Sequence, residues 1–310
     1  MPHPAAPRAF AAALVLLLTA LAALLPLQGA APRLDPCSVE GQAGEAPDFG
    51  NCADCHVDRE VNAGDGSFVL AGVPSAWTAG TTYRLVATLA DPGQQLWGFR
   101  TTAILADGSD AGLLAPADGN TAPCVRDGRL YLRNTNAGLR AGLPDGPVDF
   151  AFDWTAPAAG AGSARFSAVG FAGDLDGTRA GDYTYTAASV AVEDHAGAPA
   201  WSLLLQPDHG DARRGSTWNV RARLRRHGAG SGQALLVSRV RLPNGGLFPG
   251  SGWLHGPLGV VLASGEQETL NLVHAVPLSA PRISARYEAF LGAAPVTLFA
   301  ADAFDFAVVD

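Results

Sequence analysis

The sequence predicts an all-β chain, with two consecutive β-sandwiches behind a cleaved signal peptide. Three observations predict it. Short apolar or alternating runs recur from residue 67 to the C terminus, with Gly, Pro and Asp turn chemistry between them. After the leader, no run keeps the 3.6-residue apolar period that a long helix requires. A break of small residues and proline, "EDHAGAP" at 193–199, divides the runs into two sets of sandwich size.

Residues 1–30 read as the signal peptide: Arg8 gives a positive start, "FAAALVLLLTALAALLPL" is the apolar run, and "QGAAP" supplies small residues for cleavage. Cleavage leaves an exported chain with no integral membrane span; a retained anchor is the weaker reading. Asp35 and Pro36 stand before Cys37 where a lipoprotein signal would place small residues. Residues 31–66 form an N-terminal segment. Over 67–192, "SFVLAGV", "TYRLVATLA", "WGFRTTAIL", "RLYLRN", "VDFAFDWTA", "ARFSAVGFA" and "DYTYTAASVAV" are strands at the spacing of a sandwich. Residues 193–199 are a linker. Over 200–310 the pattern resumes in "WSLLLQ", "TWNVRARLRR", "ALLVSRVRLP", "LGVVLAS", "ETLNLVHAV", "RISARYEAFLG" and "FDFAVVD". Trp218, Val220, Ala222 and Leu224 alternate with Arg221, Arg223 and Arg225, so this strand is buried on one face, and its arginine face is expected in solvent. Both halves are thus expected to be immunoglobulin-like sandwiches, without a sequence repeat between them.

The 21 basic residues, all Arg, stand against 29 acidic ones for a net charge of −8. That balance speaks against nucleic acid and anionic membrane surfaces as partners. Without lysine there is no Schiff-base chemistry. No nucleophile elbow, zinc-protease helix or phosphate loop is present, and the neighbours Asp194 and His195, or Ser202 and His209, read as ordinary surface residues, so no enzyme is expected. The six tryptophans read as core.

The strongest chemical signal is Cys52-Ala53-Asp54-Cys55-His56. In C-x-x-C-H the two thiols add to the vinyl groups of a haem and the adjacent imidazole reaches the iron. The expectation is one covalent haem c, bound by Cys52, Cys55 and His56, with His56 as proximal iron ligand. The sole methionine is Met1 and the next histidine after His56 is His195, so the far side of the iron is open or completed from outside the first sandwich. A disulfide beside an incidental histidine, and a metal other than haem iron, are the other readings of the same residues. If haem takes Cys52 and Cys55, then Cys37 and Cys124 remain as a disulfide pair, whose long loop would contribute about 4 to 5 kcal/mol on the chain-entropy model. Alternatively all four cysteines form disulfides, in any of three connectivities. Gly173-Asp174-Leu175-Asp176-Gly177 with Asp182 could gather carboxylates for calcium, but Asp and Gly are also what a turn demands, and the turn is favoured.

Three stretches, "GNCADCHVDREVNAGDGSFVLAGVPSAWTAGTTYRLVATL", "WGFRTTAIL" and "FDWTAPAAGAGSARFSAVGFAGDLDGTRAGDYTYT", resemble bacterial reeler-like proteins over residues 50–186. These are exported sandwich domains in which C-x-x-C-H precedes the strands. The resemblance implies fold and a secreted or periplasmic location more than activity; eukaryotic relatives look like adhesion or matrix modules. The expected role is electron transfer, or a haem-based redox accessory at the cell envelope, with a redox partner cytochrome or envelope complex. The competing role is a non-redox extracellular adhesion or binding module stapled by disulfides.

Overall fold

The computed structural model describes residue 37 and residues 42–47, 49–294 and 297–310; the signal peptide expected over 1–30 lies outside the described residues. From residue 37 onward they belong to one compact unit. The first sandwich contains β1 (Ser67–Ala71), β2 (Ala76–Trp77), β3 (Thr82–Ala90), β4 (Leu96–Ile104), β5 (Leu113–Pro116), β6 (Thr121–Arg126), β7 (Arg129–Asn134), β8 (Val148–Thr155), β9 (Ala164–Gly173) and β10 (Tyr183–Glu193). They form two facing sheets, ordered β1-β3-β8-β5 and β2-β10-β9-β4-β7-β6. The period-two pattern decides which side chains meet between the sheets. From β3 come Leu85, Ala87 and Leu89, from β8 Val148, Phe150, Phe152 and Trp154, and from the other sheet Trp97, Phe99 and Phe166, all buried. Trp154 meets Phe166 edge-on with ring centroids 4.9 Å apart, the arrangement that aromatic quadrupoles prefer.

The second sandwich contains β11 (Trp201–Pro207), β12 (Ala212–Arg213), β13 (Thr217–Arg226), β14 (Gly232–Arg241), β15 (Leu247–Phe248), β16 (His255–Leu262), β17 (Gln267–Ala275), β18 (Ser284–Ala293) and β19 (Thr297–Val309). Here a sheet β11-β13-β17 faces β12-β19-β18-β14-β15, with β16 also paired to β14. Trp218, Val220, Ala222 and Leu224 of β13 form one core with Leu236, Tyr287, Leu291 and Phe304. The chain is therefore all-β; its only helical pieces among the described residues are 3-10 turns at Cys52–Asp54 and Ala137–Leu139. Five of the six tryptophans are core, and only Trp253 is exposed, at 42%.

The arginine face of β13 departs from expectation. Arg221 and Arg223 are buried, because this face lies against β10 of the first sandwich. Arg223 Nη2 donates to Thr186 O at 2.9 Å and Gln206 Oε1 at 3.2 Å. Arg225 donates to Val73 O at 2.9 Å, Ser189 Oγ at 3.0 Å and Val190 O at 3.1 Å, while Arg221 pairs with the buried Asp208. Alternation in a sequence shows that two faces differ, not what covers the polar one. A guanidinium with five donors can satisfy the carbonyls of another sheet as well as water does. Burial, and then the like charge of Arg221, lowers the Arg223 pKa, yet the group remains charged at neutral pH. His227 bridges the sandwiches too, through Nδ1 to Ser75 O at 2.7 Å and Nε2 to Ser202 Oγ at 2.8 Å. Burial pushes it down to about 4, so it bridges as the neutral ring.

The segment before β1 is held by both sandwiches. The buried Glu45 accepts from Arg129 Nη1 at 3.0 Å and from the Tyr131 hydroxyl, on β7. Gln206 Nε2 of β11 donates to Gly44 O at 3.0 Å. Phe49 enters the second core, 5.1 Å from Phe304 between ring centroids, and Asn51 Nδ2 donates to Asp208 O at 3.0 Å.

Replacing Arg225 by Met keeps an unbranched apolar stem and removes the donors to four carbonyls and a hydroxyl. The expected cost is about 2 kcal/mol, the penalty for stranding buried acceptors. Equilibrium denaturation in urea measures it; a midpoint unchanged from wild type would show that the arginine face contributes nothing to cohesion.

Candidate functional site

Asn51 begins the turn that carries the cysteines. Its Oδ1 accepts from Ala53 N at 2.9 Å, and Asp54 Oδ2 accepts from Asn51 N at 2.8 Å, a reciprocal cap. Cys55 N and His56 N both donate to Cys52 O, at 3.2 and 3.0 Å. One tight turn thus brings Cys52, Cys55 and His56 to the wall of a cavity of about 640 Å³. His56 Nδ1 hydrogen-bonds to Asp182 Oδ2 at 2.6 Å, and its ring lies 4.7 Å from that of Phe171, centroid to centroid. Asp182, 4% exposed, has its pKa raised by burial and drawn back by His56.

The remaining walls come from strands far away in sequence. Gly98 and Phe99 of β4 lie opposite Phe171 and Gly170 of β9 in register. A Cβ on Gly98 would stand 3.0 Å from the Phe171 Cβ, so glycine lets that ring lie flat against β4. Arg100 of β4, Arg126 at the end of β6 and Arg179 from the loop before β10 also line the cavity. Burial lowers the Arg100 pKa, and an ionised Cys52 would pull it up, which puts guanidinium and sulfur within electrostatic reach of one another. Asn134 is fixed by accepting from Phe99 N at 2.9 Å.

Cys37 and Cys124 form the disulfide, across 87 residues. Cys52 and Cys55 are not disulfide-bonded, so the reading in which all four cysteines pair does not hold.

The haem c expectation is corrected. Among the described residues no three His, Cys, Asp or Glu side chains gather into a group that could hold a metal ion. The His56 ring is engaged instead by Asp182 and Phe171, and the cavity walls bring no second histidine and no methionine toward it; beside guanidinium, amide, thiol and aromatic groups they present the Asp54 carboxylate and Leu139. The less favoured calcium reading is corrected on the same finding. Asp174 Oδ1 accepts from Asp176 N at 3.0 Å, Asp176 Oδ1 accepts from Thr178 N at 2.7 Å, and Asp182 is turned to His56. Those carboxylates hold turns, which is the other reading of the same residues.

Sequence reasoning brought Cys52, Cys55 and His56 together and missed Arg100, Arg126, Arg179, Phe99 and Phe171. One signal was available for Arg179. It lies three residues before Asp182, inside the same Gly- and Asp-rich stretch.

No family model matches the chain, and no curated protein matches it. Among solved structures it is similar to the Reelin-N domain of F-spondin, at 21% identity over 44% of this chain and 91% of that one, with a TM-score of 0.31. A human F-spondin reeler domain matches at 18% identity over 44% and 93%, with a TM-score of 0.30. The full-length major pilin SpaD from Corynebacterium diphtheriae matches at 11% identity over 74% and 57%, with a TM-score of 0.31. Among the described residues no helix is long and apolar enough to cross a membrane.

The two kinds of cysteine separate in stability. Changing Cys37 and Cys124 together to Ser is expected to cost about 4 kcal/mol, the chain-entropy value for so long a loop. Changing Cys52 and Cys55 together to Ser costs under about 1 kcal/mol, the ordinary range for half-buried substitutions. Denaturant midpoints of the two double variants distinguish these outcomes, and equal losses would contradict the assignment.

Proposed function

We propose that this chain is an extracytoplasmic, non-enzymatic binding module, and that its ligand is an organic anion seated in the cavity under the Cys52–His56 turn. The observation that carries the reading is the convergence of Arg100, Arg126 and Arg179 on a cavity that also presents the rings of Phe99 and Phe171. In a chain of net charge −8, three guanidinium groups against the one carboxylate of Asp54 among the lining residues select for negative charge, since each can give a charge-assisted hydrogen bond to a carboxylate or sulfonate. The aromatic rings select for an apolar body beside that charge. A volume of about 640 Å³ is in the range of small-molecule sites.

The Cys37–Cys124 disulfide supports an oxidising compartment, outside the cytoplasm; secreted and periplasmic locations both supply one. The electron-transfer role and its redox partner cytochrome rest on a haem and form no part of this reading. The binding role needs only the cavity and the rigid sandwich beneath it.

The probe of choice is 8-anilinonaphthalene-1-sulfonate, an aromatic sulfonate whose fluorescence rises in apolar sites. The folded chain is expected to bind one equivalent, and Arg179→Ala and Arg126→Ala are each expected to weaken binding about tenfold, the loss of one charge-assisted hydrogen bond. Wild type that binds no probe, or variants that bind it as tightly as wild type, would overturn the proposal.

A further inference from the structure

The second sandwich has an open end of different chemistry. A cavity of about 520 Å³ lies there between its two sheets. Its walls are Trp218 of β13, Val273 and His274 of β17, His255 at the start of β16, Phe248 of β15 and Tyr287 of β18, with the Ser279 hydroxyl and further apolar side chains. No Asp, Glu or Arg lines it. Phe248 and Val273 stand 55% and 53% exposed at its rim, large apolar surface of the kind that marks a binding site when it gathers around a concavity.

The two imidazoles in this cavity present acceptors. The Tyr287 hydroxyl donates to the buried Ser238 Oγ at 2.9 Å. Its one proton is thereby used, so His274 Nε2, at 3.1 Å, is the donor in their contact. His274 Nδ1 then carries a lone pair. Burial lowers the His255 pKa and the nearby Val273 backbone draws it back; a neutral imidazole keeps one bare nitrogen whichever tautomer it takes. The two imidazoles meet edge to face with centroids 4.6 Å apart. Burial keeps both neutral at physiological pH, with His274 pushed down to about 4 by burial and then by His255.

We propose that this cavity is a second ligand site, and that it takes an uncharged apolar molecule bearing a hydroxyl group, whose proton is accepted by the paired imidazoles of His255 and His274. Without a cation in the walls, nothing there offsets the desolvation of a carboxylate. A purely apolar molecule would leave the acceptor nitrogens buried without a donor. A hydroxyl answers both conditions. This site is chemically opposite to the arginine-lined cavity of the first sandwich, and neither proposal rests on the other.

The full chain at pH 7 is titrated with 1-naphthol, 1-methoxynaphthalene and 1-naphthoate, following tryptophan fluorescence and calorimetric heat. Naphthol is expected to bind one equivalent about tenfold more tightly than its methyl ether, the worth of one buried hydrogen bond. His255→Phe and His274→Phe keep a ring and remove the acceptor, so each should erase the preference for naphthol over the ether. Two variants are used because His274 also supports Tyr287, whereas His255 is nearer the rim. Val273→Trp fills the mouth and should abolish binding of both neutral ligands, while Arg179→Ala should leave it intact. Equal affinities for naphthol and ether, a preference that survives both histidine variants, or no binding of either neutral ligand would overturn the proposal. So would naphthoate binding as tightly as naphthol while sensitive to Val273→Trp.

Discussion

The buried carboxylate of Glu45 is the contact on which the rest of the site depends. It is held by Arg129 and the Tyr131 hydroxyl on β7, and a carboxylate this deep survives only because both partners donate to it. Burial first, and then the negative Glu45, raises the Tyr131 pKa, so the phenol stays a donor. With Glu45 fixed to the first sandwich and Phe49 inserted in the core of the second, the few residues between them have little freedom left. The turn carrying Cys52, Cys55 and His56 starts two residues later. Its position over β4 and β9 is thus set by two anchors, and the cavity follows from that position.

The arginine face of β13 does the same work between the strands. A sheet face ordinarily excludes charge from a sheet-to-sheet contact, because each buried ion must find partners. Here Arg223 and Arg225 find them in carbonyls of β10 and of the stretch before β2, and Arg221 finds Asp208. Asp208 in turn accepts from Asn219 Nδ2 at 2.9 Å, while its carbonyl accepts from Asn51. The anchor of the N-terminal segment and the seam between sandwiches therefore share one network, in which loss of any member leaves others buried and unsatisfied.

The strands are legible in the sequence because their alternation is a local property. β3, β4, β7 to β10 and most of the second sandwich follow directly from side-chain period. What covers a face is not local. The three arginines of β13 read as solvated because nothing within ten residues of them indicates β10; the short strands β2 and β5 have too few residues to show a period, and the burial of β6 does not alternate. The motif at Cys52–His56 is legible for the same reason the strands are: its spacing fixes which three side chains share a turn. What faces that turn depends on the pairing of β4 with β9, which brings Gly98 opposite Phe171, and on the loop that returns Asp182 to His56. Spacing therefore named the residues correctly as neighbours and gave them the wrong occupant.

If Glu45, Phe49 and the β13 arginines tie the sandwiches into one body, the two must unfold together. Differential scanning calorimetry of the intact chain tests this most directly. A single transition whose calorimetric and van't Hoff enthalpies agree, with a ratio of about 1, is the predicted result. Two resolved transitions would contradict it, because the sandwiches would then be separate bodies and the cavity could not be held by their union.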